Sequence, residues 1–439
     1  VFKRSIFVLC VALVLIASCS ANADNDIGEI TVQDLTSLFS ADQTVGHVTV
    51  SPNGEMVAWI EIDTGLCMYI IAADSAHCTL WAWDTKRFWV PGNSLDLMSL
   101  EWSADSSQIL FANNLNTAEY FDSDIWLYDI QSNEFTNLTD DHFSGYPSFP
   151  TAAEAPEVWI DQSPLWLSQS ASDLLYVRLY PVDWERRLEQ NLGAFEGGEI
   201  WTISLGTQTN ALTFALPESM KFIIPPVAIS ADGTKIAIFA IAIEYNDYSL
   251  IIVDLAQNTV TRLIPSSTLD AGFPDWLADG QSSTTGSATL QWTANDQGLI
   301  ISTIRTRRFP YVETYYPVIL VNFHYIDAAT GAVTPLVDLS GLPEPVEGRD
   351  WRASYDRPRA GFISNARDVF YYVHYTPDAE EMQIEAIALP PQPDAAPFMS
   401  VSVPHVLDDY RLNLGVISEA GNVVIGDKFL LCFETYGCP

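Results

Sequence analysis

Positive charge is what this sequence has least of. Its 439 residues carry 56 Asp and Glu against 20 Lys and Arg, a formal net charge of −36, and lysine occurs only at Lys3, Lys86, Lys221, Lys235 and Lys428. Nucleic-acid binding needs a basic footprint to displace counterions from phosphate, so the balance argues against that class. Charged residues of both signs reach only 17%, below the roughly 25% of a typical soluble domain. Cysteine is sparse as well, six in all, with no C-x-x-C pair beside a histidine to hold zinc. What is abundant is apolar: 48% hydrophobic residues and 13 tryptophans, enough to offset ordering entropy and to exclude disorder. The aromatic content favours packed strands. Length allows about three domains of ~150 residues, or one longer all-β unit.

The first residues read as an address. Lys3 and Arg4 precede an apolar run from Ile6 to Ala17, then Ser18 and Cys19. A basic start, a short apolar core and small residues make an export signal, too short to span a bilayer comfortably. The tetrad Ile16-Ala17-Ser18-Cys19 resembles the lipobox of bacterial lipoproteins, which implies a lipidated Cys19 at the start of the mature chain. Ser20 after it is similar to the outer-membrane variety in a Gram-negative cell envelope. Cleavage after Ala21-Asn22-Ala23, leaving a soluble periplasmic or secreted protein, is the alternative. The chain thus divides into residues 1–19, the signal, and 20–439, a single domain. Cys10 leaves with the signal, and Cys67, Cys78, Cys432 and Cys438 remain. An even number in an exported protein predicts two disulfides, and local pairing of 67 with 78 and 432 with 438 is the simplest of three connectivities.

One pattern recurs down the chain: apolar residues, a Ser or Thr, a turn with Asp, Asn or Gly, then a β-rich run. It occupies Val48–Trp59, Leu100–Phe111, Leu165–Tyr176, Val227–Ile238, Leu290–Ile301, Gly361–Tyr372 and Gly415–Ile425. Each copy predicts two strands about a tight turn. Most are followed by a second β-rich run: Leu80–Asp84, Asp124–Ile130, Glu199–Ser204, Leu250–Leu255 and Val321–Asp327. Such units cannot bury both faces alone, so the expectation is an all-β β-propeller of seven four-stranded blades. The last copy has room for about three strands, so Gly28–Val32 is predicted to supply the outer strand that closes the ring. A six-bladed ring with a loose C-terminal hairpin is the alternative.

Ser51-Pro52-Asn53-Gly54 and Ser230-Ala231-Asp232-Gly233 are similar to the Ser-Pro-Asp-Gly signature of the TolB-type propeller repeat. That repeat also builds the N-terminal propeller of the prolyl oligopeptidase (dipeptidyl aminopeptidase) family, and Ile30–Leu35 resembles the opening of its exported members. The resemblance implies the fold and is weak for activity. Peptidases of that family carry a nucleophilic serine on a G-x-S-x-G elbow. No such elbow occurs in these residues; Gly280–Gly286 comes nearest with the wrong spacing, and the β-α alternation of a hydrolase is missing. The chain is therefore not expected to be a serine peptidase by itself, although it could be the substrate-gating propeller of one whose catalytic domain is separate. Some TolB-like propellers are metal-dependent lyases of acidic sugars. His324 and His374 lie in aromatic strand contexts, but no ligand spacing links them. Asp122, Asp124, Asp140 and Asp141 form no complete calcium loop. No metal and no cofactor are expected.

Function is written in the connections. In a four-stranded blade, the turns after the first and third strands open on one face, and the other connections open on the opposite face. The long segments 61–79, 113–123, 140–160, 180–197, 265–287, 305–316 and 340–358 all fall on that second face, where long loops on a rigid scaffold usually serve binding. Arginines collect there: Arg305, Arg307 and Arg308 with Tyr311, and Arg352, Arg357 and Arg359 with Trp351. A smaller set is Arg186 and Arg187. Guanidinium groups beside aromatics suit carboxylate or sugar recognition through bidentate bonds and stacking. The competing reading is that they pair with the abundant acids. The sequence thus points to an exported, lipid-anchored binding module that holds a protein, peptide or anionic glycan on its loop-rich face.

Overall fold

The computed structural model describes residues 30–34, 38, 45–61, 65–79, 100–112, 115–116, 120–140, 146–147, 159–167, 172–181, 195–217, 220–242, 248–277, 283–285, 290–307, 318–344, 357–364, 368–375, 381–392, 396–404, 423–425 and 429–433. Residues 1–19, read from sequence as an export signal ending at Cys19, lie outside them.

The recurring Ser or Thr is explained at the turn between the first two strands of each unit. Its hydroxyl donates to the side-chain oxygen two residues on and accepts the N–H five residues on. Ser51 reaches Asn53 and Met56 at 2.7 and 2.9 Å. Ser103 binds Asp105 and Gln108 at 2.6 and 2.9 Å, and Ser230 binds Asp232 and Lys235 at 2.7 and 2.9 Å. Thr293 does the same with Asn295 and Gly298 at 2.9 and 3.0 Å. The fourth position is left-handed in all four: Gly54, Ser106, Gly233 and Asp296 have φ of 73°, 61°, 71° and 55°. Gly, Asn, Asp and, less often, Ser tolerate that region, which is why the pattern varies there.

These turns build antiparallel sheets in chain order. The first sheet holds Val45–Val50, Met56–Glu61, Gly65–Ile70 and Ser75–Thr79; the second holds Glu101–Trp102, Gln108–Ala112, Ile125–Asp129 and Glu134–Asn137. The third holds Ile160–Trp166, Asp173–Pro181, Phe195–Ser204 and Thr209–Ala215, and the fourth Met220–Ile229, Lys235–Ala242, Tyr248–Asp254 and Thr259–Pro265, the two joined by one parallel bridge between Gly197 and Phe222. In the fifth, Ser283–Thr285 and Leu290–Trp292 both pair with Gly298–Arg307, followed by Val318–Asp327 and Val333–Pro335. The sixth is Arg357–Ser364, Val369–Tyr375, Glu381–Ala388 and Met399–Pro404. Among the described residues there is no α-helix.

Side-chain alternation makes each sheet two-faced, and each face buries against a different neighbour. In the fourth sheet Ile236, Ile238 and Ala240 join Leu175, Val177 and Leu179 of the third. The intervening Ala237 and Phe239 join Leu290, Leu299 and Ile301 of the fifth. The fifth then turns Ile300 and Phe323 to Ile363, Phe370 and Tyr372 of the sixth. The second does likewise, with Ile109 and Phe111 against the first and Leu110 and Ala112 against the third. This is the face-to-face succession of an all-β propeller. At the seam, Ile30–Asp34 pairs antiparallel with Phe429–Phe433, Ile30 opposite Phe433, and Val423–Ile425 lies on the other side of that strand. The chain's first described strand thus completes a sheet begun by its last.

One expectation is corrected. Residues 61–79 are not a long loop: they supply the third and fourth strands of the first sheet, joined by a turn at Ile71–Ala73 with Asp74 at φ 46°. Cys67 stands opposite Cys78 in that pairing, and the two are disulfide-bonded. Leu80–Asp84, read as the second run of this unit, lies outside the described residues, as does Cys438; Cys432 lies in the closing sheet.

Candidate functional site

In four-stranded antiparallel sheets the turns after the first and third strands share one end. There they are short and fixed by hydrogen bonds, as at Asp129–Asn133 and Asp327–Gly331. The opposite end receives the connections from Thr79 to Leu100, Pro181 to Phe195, Pro265 to Leu290, Arg307 to Val318 and Pro335 to Arg357. Strand Gly298–Arg307 finishes at this end and carries Arg305 and Arg307 there.

Two connections fold over the end of the fifth sheet. Residues Ser266–Asp270 and Asp275–Leu277 form short 3-10 turns, and Phe273 and Leu277 pack with Leu320 and Leu339 into a small apolar cap. The Trp276 indole N–H donates to the Leu342 carbonyl at 2.8 Å, and the Leu339 N–H to that of Gly272 at 2.8 Å. Arg305 and Arg307 each meet an acid from these connections. Arg305, buried, is ion-paired with Asp270, and its guanidinium carbon lies 6.0 Å from the centre of the Phe273 ring. Arg307 Nη1 lies 3.9 Å from Glu344 Oε1 at the surface.

Beneath Arg305 the sheet face turns polar. Thr303, Asn322 and His324 are buried on the side where Leu299, Ile301 and Ile326 pack lower down. His324 Nε2 lies 2.8 Å from the Ala271 carbonyl, so that nitrogen carries the proton; Nδ1 accepts from the Thr303 hydroxyl at 3.2 Å. Burial pushes His324 down to about 4, with the Ala271 bond opposing. Its neutral ring thus bridges sheet and connection. Asn322 accepts the Phe323 N–H at 2.8 Å, whereas its amide nitrogen has no partner among the described residues. Gly272, at φ 79°, closes over it, since a Cβ there would lie 2.8 Å from that nitrogen and from Pro335 Cβ.

A second polar group lies between the second and third sheets. Arg178 donates from Nε and Nη2 to the two carboxylate oxygens of Asp161 at 2.7 and 2.8 Å, both residues buried. Its guanidinium lies over Trp159 and Trp201 at 4.3 and 4.8 Å. Glu199 receives the Tyr180 hydroxyl at 2.5 Å and the Trp201 indole N–H at 2.7 Å. Burial, then the neighbouring Asp161, pushes the Tyr176 phenol up.

The arginines read from sequence divide accordingly. Arg305 and Arg307 are two residues apart on one strand. Arg357 and Arg359 begin the first strand of the sixth sheet, which lies against Gly298–Arg307 and Val318–Asp327. Arg308, Tyr311, Trp351, Arg352, Arg186 and Arg187 lie outside the described residues. Sequence reading missed Asp270, Asn322, Asp161 and Arg178. A charged residue centred in the alternating run Leu175–Tyr180 was the available signal for Arg178.

No family model matches the chain, and no curated protein matches it. Among solved structures, the β-propeller domain of the Trilobed protease from Pyrococcus furiosus aligns with 88% of this chain and 90% of its own at 10% identity and a TM-score of 0.43. The β-propeller domain of Cps50 (Swd1) from Myceliophteria thermophila aligns over 92% and 99% at 11% identity and 0.46. A prolyl endopeptidase structure aligns over 83% of this chain and 43% of its own at 12% identity and 0.43.

Proposed function

We propose that this protein is an exported, Cys19-anchored binding module of the bacterial cell envelope, a propeller of seven blades whose loop-rich face holds a protein, peptide or anionic glycan. The observation that supports the reading is the asymmetry of the sheet ends. Tight hydrogen-bonded turns close one end, and the long connections and the arginine-bearing strand ends share the other. A rigid scaffold with elaborated connections on one side suits recognition, because the loops can vary without disturbing the cores. Arginines in a chain of net charge −36 concentrate the scarce positive potential where a carboxylate would be read.

The test is capture of envelope components by the purified protein. Arg307→Ala with Arg352→Ala is expected to weaken capture several-fold while leaving the melting temperature nearly unchanged. The Arg307–Glu344 contact is a surface pair worth at most about 1 kcal/mol. A large fall in melting temperature would mark these arginines as structural and remove the basis for the reading. For the anchor, Cys19→Ala is expected to release the protein from the membrane fraction; continued membrane association would exclude lipidation there.

A further inference from the structure

The fifth-sheet cap has the composition of a closed binding site. A sheet face that is apolar near the other end carries Thr303, Arg305 and Asn322 under the connection Ser266–Leu277. The Asn322 amide nitrogen is fully buried and has no partner among the described residues. Burying such a donor costs free energy that a merely structural patch would avoid with an apolar residue. The carboxylate that meets Arg305 is not part of the shelf: it comes from the connection, and its side chain is 40% exposed against 9% for Arg305. The connection is held down by the His324–Ala271, Leu339–Gly272 and Trp276–Leu342 hydrogen bonds, by the Arg305–Asp270 ion pair and by the buried side chains of Leu269, Phe273 and Leu277.

We propose that Arg305 and Asn322 form a carboxylate-binding site masked by Asp270, and that a ligand carboxylate takes the place of Asp270 when the connection lifts. The proposal rests on the binding reading above and gives its ligand a chemistry: a carboxylate small enough to enter beside Arg305, carried by an acidic peptide or by a uronic acid. Arg305 would bind the carboxylate through its guanidinium fork, and the Asn322 amide would supply a further donor. No covalent step is involved.

The experiment is calorimetric titration of the folded protein with triglutamate and with trigalacturonate. Asp270→Asn removes the competing charge and is expected to tighten binding of one of them at least tenfold; which one responds identifies the source. Gly272→Ala, which forces the connection away from Asn322 and Pro335 but keeps both charges, is expected to act in the same direction. Adding Arg305→Met to Asp270→Asn is expected to abolish the gain. The proposal fails if neither variant binds either probe more tightly, or if the gain survives Arg305→Met. In that event, undiminished envelope capture by Asp270→Asn would leave the wider binding reading standing. Loss of capture only in the Arg307, Arg352 pair would place the ligand elsewhere on the same face.

Discussion

Asp296 reaches from the first turn of the fifth sheet to that of the fourth and accepts the backbone N–H of Ala231 at 2.6 Å, with its other oxygen on the N–H of Asp232 at 3.0 Å. Ser106 does the equivalent between the second and first sheets, accepting the Asn53 N–H at 3.1 Å. The left-handed position of the turn therefore serves twice, closing its own hairpin and pinning the preceding one. Asp296→Ala is expected to cost about 2 kcal/mol, from lost hydrogen bonds and an alanine at positive φ. Asp296→Gly keeps the backbone relaxed and should cost about 1 kcal/mol less. Urea unfolding of the two variants checks the ordering; equal losses would mean the carboxylate alone matters.

The Arg178–Asp161 pair is a buried fork. Removing either partner strands the other, so Arg178→Met or Asp161→Leu is expected to cost about 3–5 kcal/mol. The double variant should cost clearly less than the sum of the singles. Additive losses in a double-mutant cycle would show that the two act independently.

Buried His324 and half-buried Glu101 give stability opposite slopes in pH. His324 titrates near 4 in the folded chain, below its ordinary 6.5, so between those values the unfolded chain holds more protons. Its contribution is complete above about pH 6.5 and is lost as pH falls towards 4, on the order of 3 kcal/mol at most. Glu101 is held up to about 7 by burial, from 4.5, so the folded chain keeps a proton that the unfolded chain releases. Its contribution is complete below about pH 4.5 and is lost as pH rises towards 7. His324→Gln should flatten the acid limb of stability against pH, and Glu101→Gln the neutral limb. Unfolding midpoints measured in steps from pH 4.5 to 7.5 decide, and an unchanged slope in either variant would refute that assignment.

Cys67 and Cys78, 11 residues apart, tie the outer strand of the first sheet. Replacing both by serine is expected to lower stability by about 2–3 kcal/mol. Reductant should produce a similar fall in the parent protein and none in the variant, read by thermal melting.

The architecture was legible because its signal is chemical and repeated. A hydroxyl, a side-chain acceptor two residues on and a left-handed residue after it recur in register with alternating apolar strands, and the turns at Ser51, Ser103, Ser230 and Thr293 use them as the pattern implies. The first sheet was misread beyond its second strand because Leu80-Trp81-Ala82-Trp83 is as strand-like as Leu66–Ile70, and only the Cys67–Cys78 pairing marked the latter. The site was legible in part. Arginines two apart on a strand end can be placed by topology, whereas the acids they meet, Asp270 and Glu344, come from connections whose path no local pattern records. In a chain with 56 acidic residues the choice among them is a tertiary fact.

Because Ile30–Asp34 is the neighbour of Phe429–Phe433, the two extremities share a single fate. Trimming through the early strand or through the late one would unfasten the same clasp, and either cut should loosen a ring that neither end can hold alone. Linking these two strands covalently and opening the chain at a tight turn elsewhere would move the vulnerable point to that turn.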